Sequence, residues 1–214
     1  MKKSQLKRFM TDYITDNKVQ LIVAVLSVFV GTVIGSLSAV FLENAEYNTL
    51  GVYIDNFVSA YNLQPVNRSE IFIHSLYNNF KIILFMWLSG IWVGFIPLCF
   101  LQLGAKGYKI GFTVTALVRI LGTKGILFVG VSLLPQLLIG LPILIAYAVF
   151  NTNSALMFNR IRNHAKTKIS KKELYIKNFL CLLGTVLIMV FCSFFDSFVI
   201  PPVLKPVCSM LSKQ

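Results

Sequence analysis

The sequence predicts an all-α integral membrane protein with several spanning helices. Of its 214 residues, 56% are hydrophobic and only 13% are charged, whereas soluble domains carry roughly 25% charged residues. Uncharged apolar runs of about 20 residues, the length that crosses a bilayer core, alternate with short segments that hold most of the Lys and Arg. No soluble domain fits between these runs, so residues 1–214 are expected to form a single membrane domain.

The apolar runs place about five spans along the chain, at residues 19–42, 82–103, 109–123, 125–150 and 176–200. A short turn at 104–109 separates the second span from the third, and Pro201 with Pro202 stops the last one. The third span has only about 15 residues, which is roughly 22 Å of helix against a hydrocarbon core of about 30 Å. Local thinning and snorkelling of Lys and Arg can absorb such a mismatch.

The positions of Lys and Arg orient these spans, because cytoplasmic loops are enriched in both residues. Lys and Arg precede the first span and crowd the loop at 151–177, so both regions are predicted to be cytoplasmic. The loop at 43–80 has Arg68 as its only Lys or Arg and is predicted to lie outside. The N-terminus is therefore expected in the cytoplasm and the C-terminus outside. The net charge of +12 then meets lipid headgroups, which argues against nucleic acid as the partner.

This orientation decides the role of the short third span. If it did not cross, the span at 125–150 alone would carry the chain from the turn at 104–109 to the basic loop, which would then lie outside. Residues 107–150 must therefore go out and come back, with a turn at "GTKG", 122–125. The alternative is a re-entrant hairpin, whose apex would need burial in protein because lipid cannot satisfy its backbone groups.

The outer loop is predicted to form a short helical hairpin. Leu50, Ile54, Phe57 and Tyr61 recur at three- and four-residue intervals and give one apolar helical face. A second helix is expected from about residue 67 into the second span, with the break at Gln64-Pro65.

Three pairs of glycines have the GxxxG spacing, which puts both glycines on one face of a helix and lets another backbone approach closely. They are Gly31 with Gly35, Gly90 with Gly94, and Gly107 with Gly111. Packing within one chain is one interpretation. Contact with a second copy or with the membrane helix of a partner is the other.

Four further residues are candidates for a role inside the membrane. Arg119 and Asp196 lie at matching depths near the outer ends of their helices, where they could pair or reach the interface separately. Pro135 and Gln136 interrupt the fourth span, and such a break either shapes the bundle or binds a transported substrate.

Catalytic and cofactor sites are not predicted. The two histidines lie on opposite sides of the membrane, and neither a nucleophile–base pair nor a phosphate-binding loop can be assembled. The four cysteines have no metal-ligand spacing, and no structural disulfide is expected. The sequence therefore favours a protein that is not an enzyme and that holds neither metal nor cofactor.

The central part of the chain resembles the stage II sporulation protein M family. Its ordered motifs run through residues 79–136: Asn79, Trp87, Gly90, Gly94, Lys106-Gly107, Gly111-Phe112, Lys124-Gly125 and Leu134-Pro135-Gln136. Phe95-Ile96-Pro97 departs from the pattern, because two residues rather than one separate a glycine from a proline.

The resemblance implies a multi-pass protein of the mother-cell membrane that acts during engulfment in endospore formation. By that resemblance, it is a non-catalytic scaffold that holds two peptidoglycan hydrolases at the septal membrane, a lytic transglycosylase and an amidase/endopeptidase. The expected contact surfaces are the outer loop 43–80, the turn at 122–125 and the tail after Pro201, and a homo-oligomer is possible. The competing hypothesis is a small transporter, channel or permease subunit that needs an ATPase.

Overall fold

The computed structural model describes Thr15 and residues 17–63, 67–163 and 171–211. Within these ranges the backbone is almost entirely helical and forms no strand. A short 3-10 turn spans Val93–Phe95 and a π-helical segment spans Gln136–Gly140. The α-helices are α1 (Lys18–Val40), α2 (Asn44–Leu63), α3 (Arg68–Ser89), α4 (Ile96–Leu121), α5 (Thr123–Pro135), α6 (Leu141–Arg162), α7 (Lys171–Phe198) and α8 (Ile200–Leu211).

The length and exposed surface of the helices are those of a membrane protein. Four helical stretches of the described chain are long and apolar enough to span: α1, α3, Leu137–Arg162 and Lys171–Met210. Their large apolar side chains point outward, as Phe29 in α1 (64% exposed) and Leu187 in α7 (70% exposed) do. Only a lipid environment makes such a surface favourable. The prediction of an all-α polytopic membrane protein is confirmed.

Contacts between the helices divide the bundle into two ends. α1 and α4 run parallel, because Val28 lies beside Gly107 and Ala39 accepts a hydrogen bond from Arg119. α3 and α7 run antiparallel, since Ser75 meets Asp196 at one end and the segment after α3 meets α7 at the other. One end therefore gathers residues 17–20, 90–95, 151–162 and 171–178, and the other gathers α2, the α4–α5 turn and α8.

The end that holds residues 151–162 and 171–178 carries Arg160, Arg162, Lys171, Lys172 and Lys177. The rule that places Lys and Arg inside predicts that this end is cytoplasmic, and it is called the cytoplasmic end below. α4 reaches the opposite end beside the end of α1, the chain turns at Gly122, which has a φ of 60°, and α5 and α6 return. Residues 107–150 thus run to the opposite end of the bundle and back, which agrees with two passages, and their crossing of a membrane stays a prediction.

The predicted boundary between the second and third spans is wrong. α4 is continuous through residues 104–109, and the cytoplasmic break lies instead at 90–95, so α3 and α4 replace the spans predicted at 82–103 and 109–123. Pro97 explains the shift, because proline lacks an amide hydrogen and fits only the first turn of a helix, where it lies in α4. The 26 residues of α4 give roughly 39 Å of helix, so the helix that contains the predicted third span is not short, although it is not among the four stretches that are both long and apolar enough to span.

Two other predicted ends also differ from the structure. The basic loop at 151–177 is largely helix, since α6 continues to Arg162 and α7 begins at Lys171; residues 164–170 lie outside the described part. Arg160 and Arg162 stabilise the last turn of α6, where cations interact favourably with the helix dipole. The helix of the last span ends at Phe198, just before Pro201 and Pro202, and these two prolines lie in the first turn of a further helix, α8.

The outer hairpin is built from α2 and the first turns of α3, and its predicted break at Gln64-Pro65 lies outside the described residues. Ile54 and Val58 are buried on one face of α2, where they pack on Phe128 of α5 and Leu204 of α8. A second, larger core lies between the spans around Ile83, Met86, Cys99, Leu103, Leu144, Tyr147 and Met189.

Candidate functional site

A polar cluster joins α3 to α7 in the outer half of the bundle. The Ser75 hydroxyl donates to Oδ2 of Asp196 at 2.9 Å and lies 3.2 Å from the hydroxyl of Ser193. The Asn79 amide donates to Oγ of Ser193 at 3.2 Å. Four residues separate Ser75 from Asn79 and three separate Ser193 from Asp196, so each pair shares one helix face. These contacts satisfy polar groups that lipid could not.

Lys106 of α4 lies beside this cluster. Its side chain is only 9% exposed, and a small void next to it is also lined by Asn79 and Asp196. Asn79 and Lys106, two of the motif residues, therefore lie close to each other although 27 residues separate them in the chain. Within the described part of the protein, the Lys106 ammonium has no hydrogen bond and no ion pair within 4.0 Å.

A cavity of about 470 Å³ extends from Lys106 between α3 and α4. Its polar lining includes Lys81, Lys109, Asn78 and Gln102. Lys81 and Lys109 lie on the exposed perimeter of their helices. The cavity therefore opens to the outer surface of the bundle beside Lys81 and Lys109.

A second polar cluster lies at the cytoplasmic end, where α3 stops. The amides of Asn151 in α6 and Asn178 in α7 fill the space in which a β-carbon at Gly90 would lie, and the Asn178 amide donates to the Gly90 carbonyl at 3.5 Å. Trp87 and Tyr147 belong to the same packed region. Several buried polar atoms here lack a protein hydrogen-bond partner: Trp87 Nε1, Tyr147 Oη, Asn151 Nδ2 and Oδ1, and Asn178 Oδ1.

Four of the GxxxG glycines form the contact between α1 and α4. A β-carbon at Gly31 would approach the carbonyl of Gly104 closer than the 3.0 Å that real Cβ atoms keep, and Gly35, Gly107 and Gly111 are equally close to backbone of the facing helix. These four residues pack within one chain. Gly94 is exposed, and the nearest atoms to its β-carbon position belong to the Trp92 ring at ordinary contact distance.

Arg119 and Asp196 do not pair. The guanidinium of Arg119 donates to the carbonyls of Ala39 and Val40 at the end of α1 and lies 4.9 Å from the ring centroid of Tyr47. The hypothesis of an Arg119–Asp196 ion pair is therefore wrong. The carbonyls that end a helix have no partner within it and carry partial negative charge, so they attract a cation.

The α-helix is interrupted at Pro135 and Gln136, as the sequence predicts. α5 ends at Pro135, and the π-helical segment that starts at Gln136 leads into α6, which has Pro142 in its first turn. The side chains of Pro135 and Gln136 lie outside the described part.

The outer end carries a second cavity, of about 460 Å³ and mostly apolar walls, between α2, α4, α5 and α8, which Ile71 of α3 and Asp196 of α7 also line. Tyr61 lines it, and burial, with a smaller contribution from Cys208, raises the pKa of Tyr61 to about 12. Lys124, in the first turn of α5, donates to the Met210 carbonyl of α8 at 3.0 Å. The three segments predicted as partner contacts thus meet on one surface, which we call the outer platform: α2, the α4–α5 turn and α8.

Sequence reasoning did not single out Ser75, Ser193, Asn151, Asn178 or Lys81. The signal for the first two is their helical spacing from Asn79 and Asp196 inside apolar runs. The sequence has no comparable signal for Asn151, Asn178 or Lys81. The two asparagines meet at Gly90, so their role becomes visible only when the end of α3 is known. Across the described residues, no three His, Cys, Asp or Glu side chains come close enough to hold a metal ion.

A helical bundle with lipid-facing apolar side chains and internal polar clusters belongs to the class of polytopic membrane proteins. The family model of stage II sporulation protein M matches residues 22–201. Because the match covers most of the chain, the protein belongs to this family and is a membrane protein of sporulation. The family is not a known catalytic one. No curated protein and no solved structure matches the chain.

Proposed function

We propose that this protein is a non-catalytic scaffold that holds membrane-anchored peptidoglycan hydrolases at the mother-cell membrane during engulfment. Its partners would be a lytic transglycosylase and an amidase/endopeptidase. One observation carries the proposal: the outer platform brings three separate segments of the chain together at the end opposite the basic residues, which the positive-inside rule predicts to face the cell wall. A scaffold for wall-facing partners needs such a surface.

The platform also has the composition of a binding surface. Val52 and Tyr53 on α2 are 60% and 69% exposed, and Met210 on α8 is 61% exposed. Exposed tyrosines and apolar side chains beside a cavity are typical of protein contacts, and tyrosine is enriched among the residues that carry binding energy.

The test is capture of the two hydrolases by the tagged protein in lipid nanodiscs, with the wild type compared with Tyr53→Ala. Because truncation of an interface tyrosine costs about 1 kcal/mol or more, binding should fall roughly fivefold. Tyr77→Ala is the matched control, since Tyr77 on α3 is 65% exposed but does not line the platform cavity. Failure of the wild type to capture either hydrolase would contradict the proposal, as would an equal loss in both variants.

The polar cavity beside Lys106 supports a second candidate function, because a transporter needs polar groups near the middle of the membrane. A permease subunit would co-purify with an ATPase rather than with wall hydrolases. Identification of the proteins that accompany the chain from sporulating membranes therefore separates the two functions.

A further inference from the structure

We infer that the cavity between α3 and α4 binds a phosphate group from the bilayer, through Lys81, Lys106 and Lys109. All three lysines line it, together with the amide side chains of Asn78, Asn79 and Gln102. This inference goes beyond the scaffold function and does not rest on it.

The depth of the three lysines is the first argument. Lys81 lies eight residues before the end of α3 at Ser89, which is about 12 Å of helix. Lys106 and Lys109 lie ten and thirteen residues after the start of α4 at Ile96, or about 15 and 20 Å. α3 ends and α4 begins at the end predicted to be cytoplasmic, so the three cations lie about 12 to 20 Å from that end, against a hydrocarbon core of about 30 Å.

The balance of charge is the second argument. No carboxylate lines this cavity. The neighbouring Asp196 accepts the Ser75 hydroxyl and makes no ion pair with Lys106; Lys177–Glu173 is the salt bridge of the described chain. Lys106 is 9% exposed, and burial of an unpaired ammonium costs several kcal/mol. An anion bound in the cavity would offset that cost.

The shape of the site identifies the anion. Lysine is a common phosphate ligand, and basic pockets between membrane helices bind lipid headgroups. Ile82, Phe85 and Leu133 supply apolar walls, as a ligand that arrives from the bilayer requires. Thr113 lines both this cavity and the apolar outer cavity of about 460 Å³. Both cavities therefore border the same stretch of α4, and because Asp196 lines the outer one, the phosphate is assigned to the cavity that the lysines line.

The experiment measures the thermal unfolding midpoint of the purified full-length protein in a neutral detergent. The additions are phosphatidylglycerol, diacylglycerol, which has chains but no phosphate, and inorganic phosphate. We expect phosphatidylglycerol to raise the midpoint and diacylglycerol to leave it unchanged. The combined variant Lys81→Gln, Lys106→Gln, Lys109→Gln should weaken lipid binding at least tenfold.

The matched control is Lys171→Gln, Lys172→Gln, Lys205→Gln, which removes three exposed lysines outside the cavity and the same net charge. If the triple cavity variant does not fold, the single variants Lys81→Gln and Lys109→Gln are used instead. Both side chains are exposed, so these variants are expected to fold. Protection by inorganic phosphate alone, lost in the cavity variants, would support a phosphate site but overturn the lipid as its source. Equal protection by diacylglycerol, or a lipid effect unchanged in the cavity variants, would overturn the inference. No hydrolase is present, so this outcome is independent of the scaffold function.

Discussion

Two pairs of helices, α1 with α4 and α3 with α7, are held together by different kinds of contact. The α1–α4 contact is made by glycines, and backbone of one helix touches backbone of the other at Gly31, Gly35, Gly107 and Gly111. The α3–α7 contact is made by hydroxyl, amide and carboxyl groups, with cavities beside it. One contact leaves no space for a methyl group, and the other leaves space and holds charge.

The difference shows what each contact can contribute in a membrane. Lipid is as apolar as a leucine side chain, so helices associate through close packing or through polar pairs rather than by leaving water. The glycine contact depends on volume alone and therefore fixes the position of α4, which carries Lys106. The polar contact depends on hydrogen bonds and places Asn79 and Asp196 beside that lysine. The glycine contact between α1 and α4 thus positions Lys106 beside the polar contact between α3 and α7.

The largest expected effect comes from Gly31→Ala. The added methyl group would overlap the Gly104 carbonyl, which is backbone and cannot rotate away. Overpacking of this kind costs about 3 kcal/mol, and the whole length of α4 would have to move. The midpoint of unfolding in detergent should fall sharply, and expression of folded protein should fall with it.

Gly184→Ala in α7 is the control for that substitution, because no atom lies within 4 Å of its β-carbon position. Alanine favours helix over glycine by about 1 kcal/mol, so this variant should be as stable as the wild type or more so. If both variants unfold alike, the α1–α4 contact is not as close as the structure has it.

A smaller effect is expected from Asn79 and Ser193 in the polar contact. A double-mutant cycle of Asn79→Ala and Ser193→Ala should give a coupling energy of about 0.6 kcal/mol and at most about 1.7 kcal/mol, the average and the maximum of such cycles between membrane helices. The measurement is the free energy of unfolding in a detergent titration.

The cycle of Asn79→Ala with Ser38→Ala is the control, because the Ser38 hydroxyl donates to Ile34 within its own helix. Its coupling should lie within about 0.5 kcal/mol of zero. A value for Asn79 and Ser193 that is no larger would show that the polar groups do not hold α3 to α7.

The comparison also shows how much of this molecule its sequence could predict. Composition was enough for the fold class, and the positions of Lys and Arg led to the course of residues 107–150 to the opposite end of the bundle and back. The cytoplasmic turn was misplaced, because Lys106 and Lys109 were interpreted as residues of a cytoplasmic loop. Pro97, after Gly90 and Gly94, carried the correct signal, since a proline at that point fits the start of a helix and not the middle of one.

The candidate site was less predictable than the fold, for a physical reason. Glycine spacing predicts that a close contact exists, but it does not say which helix supplies the other side. Likewise, the sequence suggested Arg119 as the partner of Asp196, and only the antiparallel arrangement of α3 and α7 brings Ser75 to it. Pairing between helices depends on rotation about each helix axis, and a one-dimensional pattern fixes that rotation only to within a face.

The smallest effect is expected at Arg119, which donates hydrogen bonds to the end of α1 beyond the glycines of the α1–α4 contact. Arg119→Gln should lower the free energy of unfolding by about 0.5 kcal/mol, because it removes a cation from the carbonyls of Ala39 and Val40 and from the ring of Tyr47. Arg119 and Asp196 share no contact, so Arg119→Asp and Asp196→Arg should each destabilise the protein, and the double variant should show no rescue. A double variant more stable than either single variant would mean that the two residues pair after all, and α4 would then have to be rotated about the glycine contact that positions Lys106.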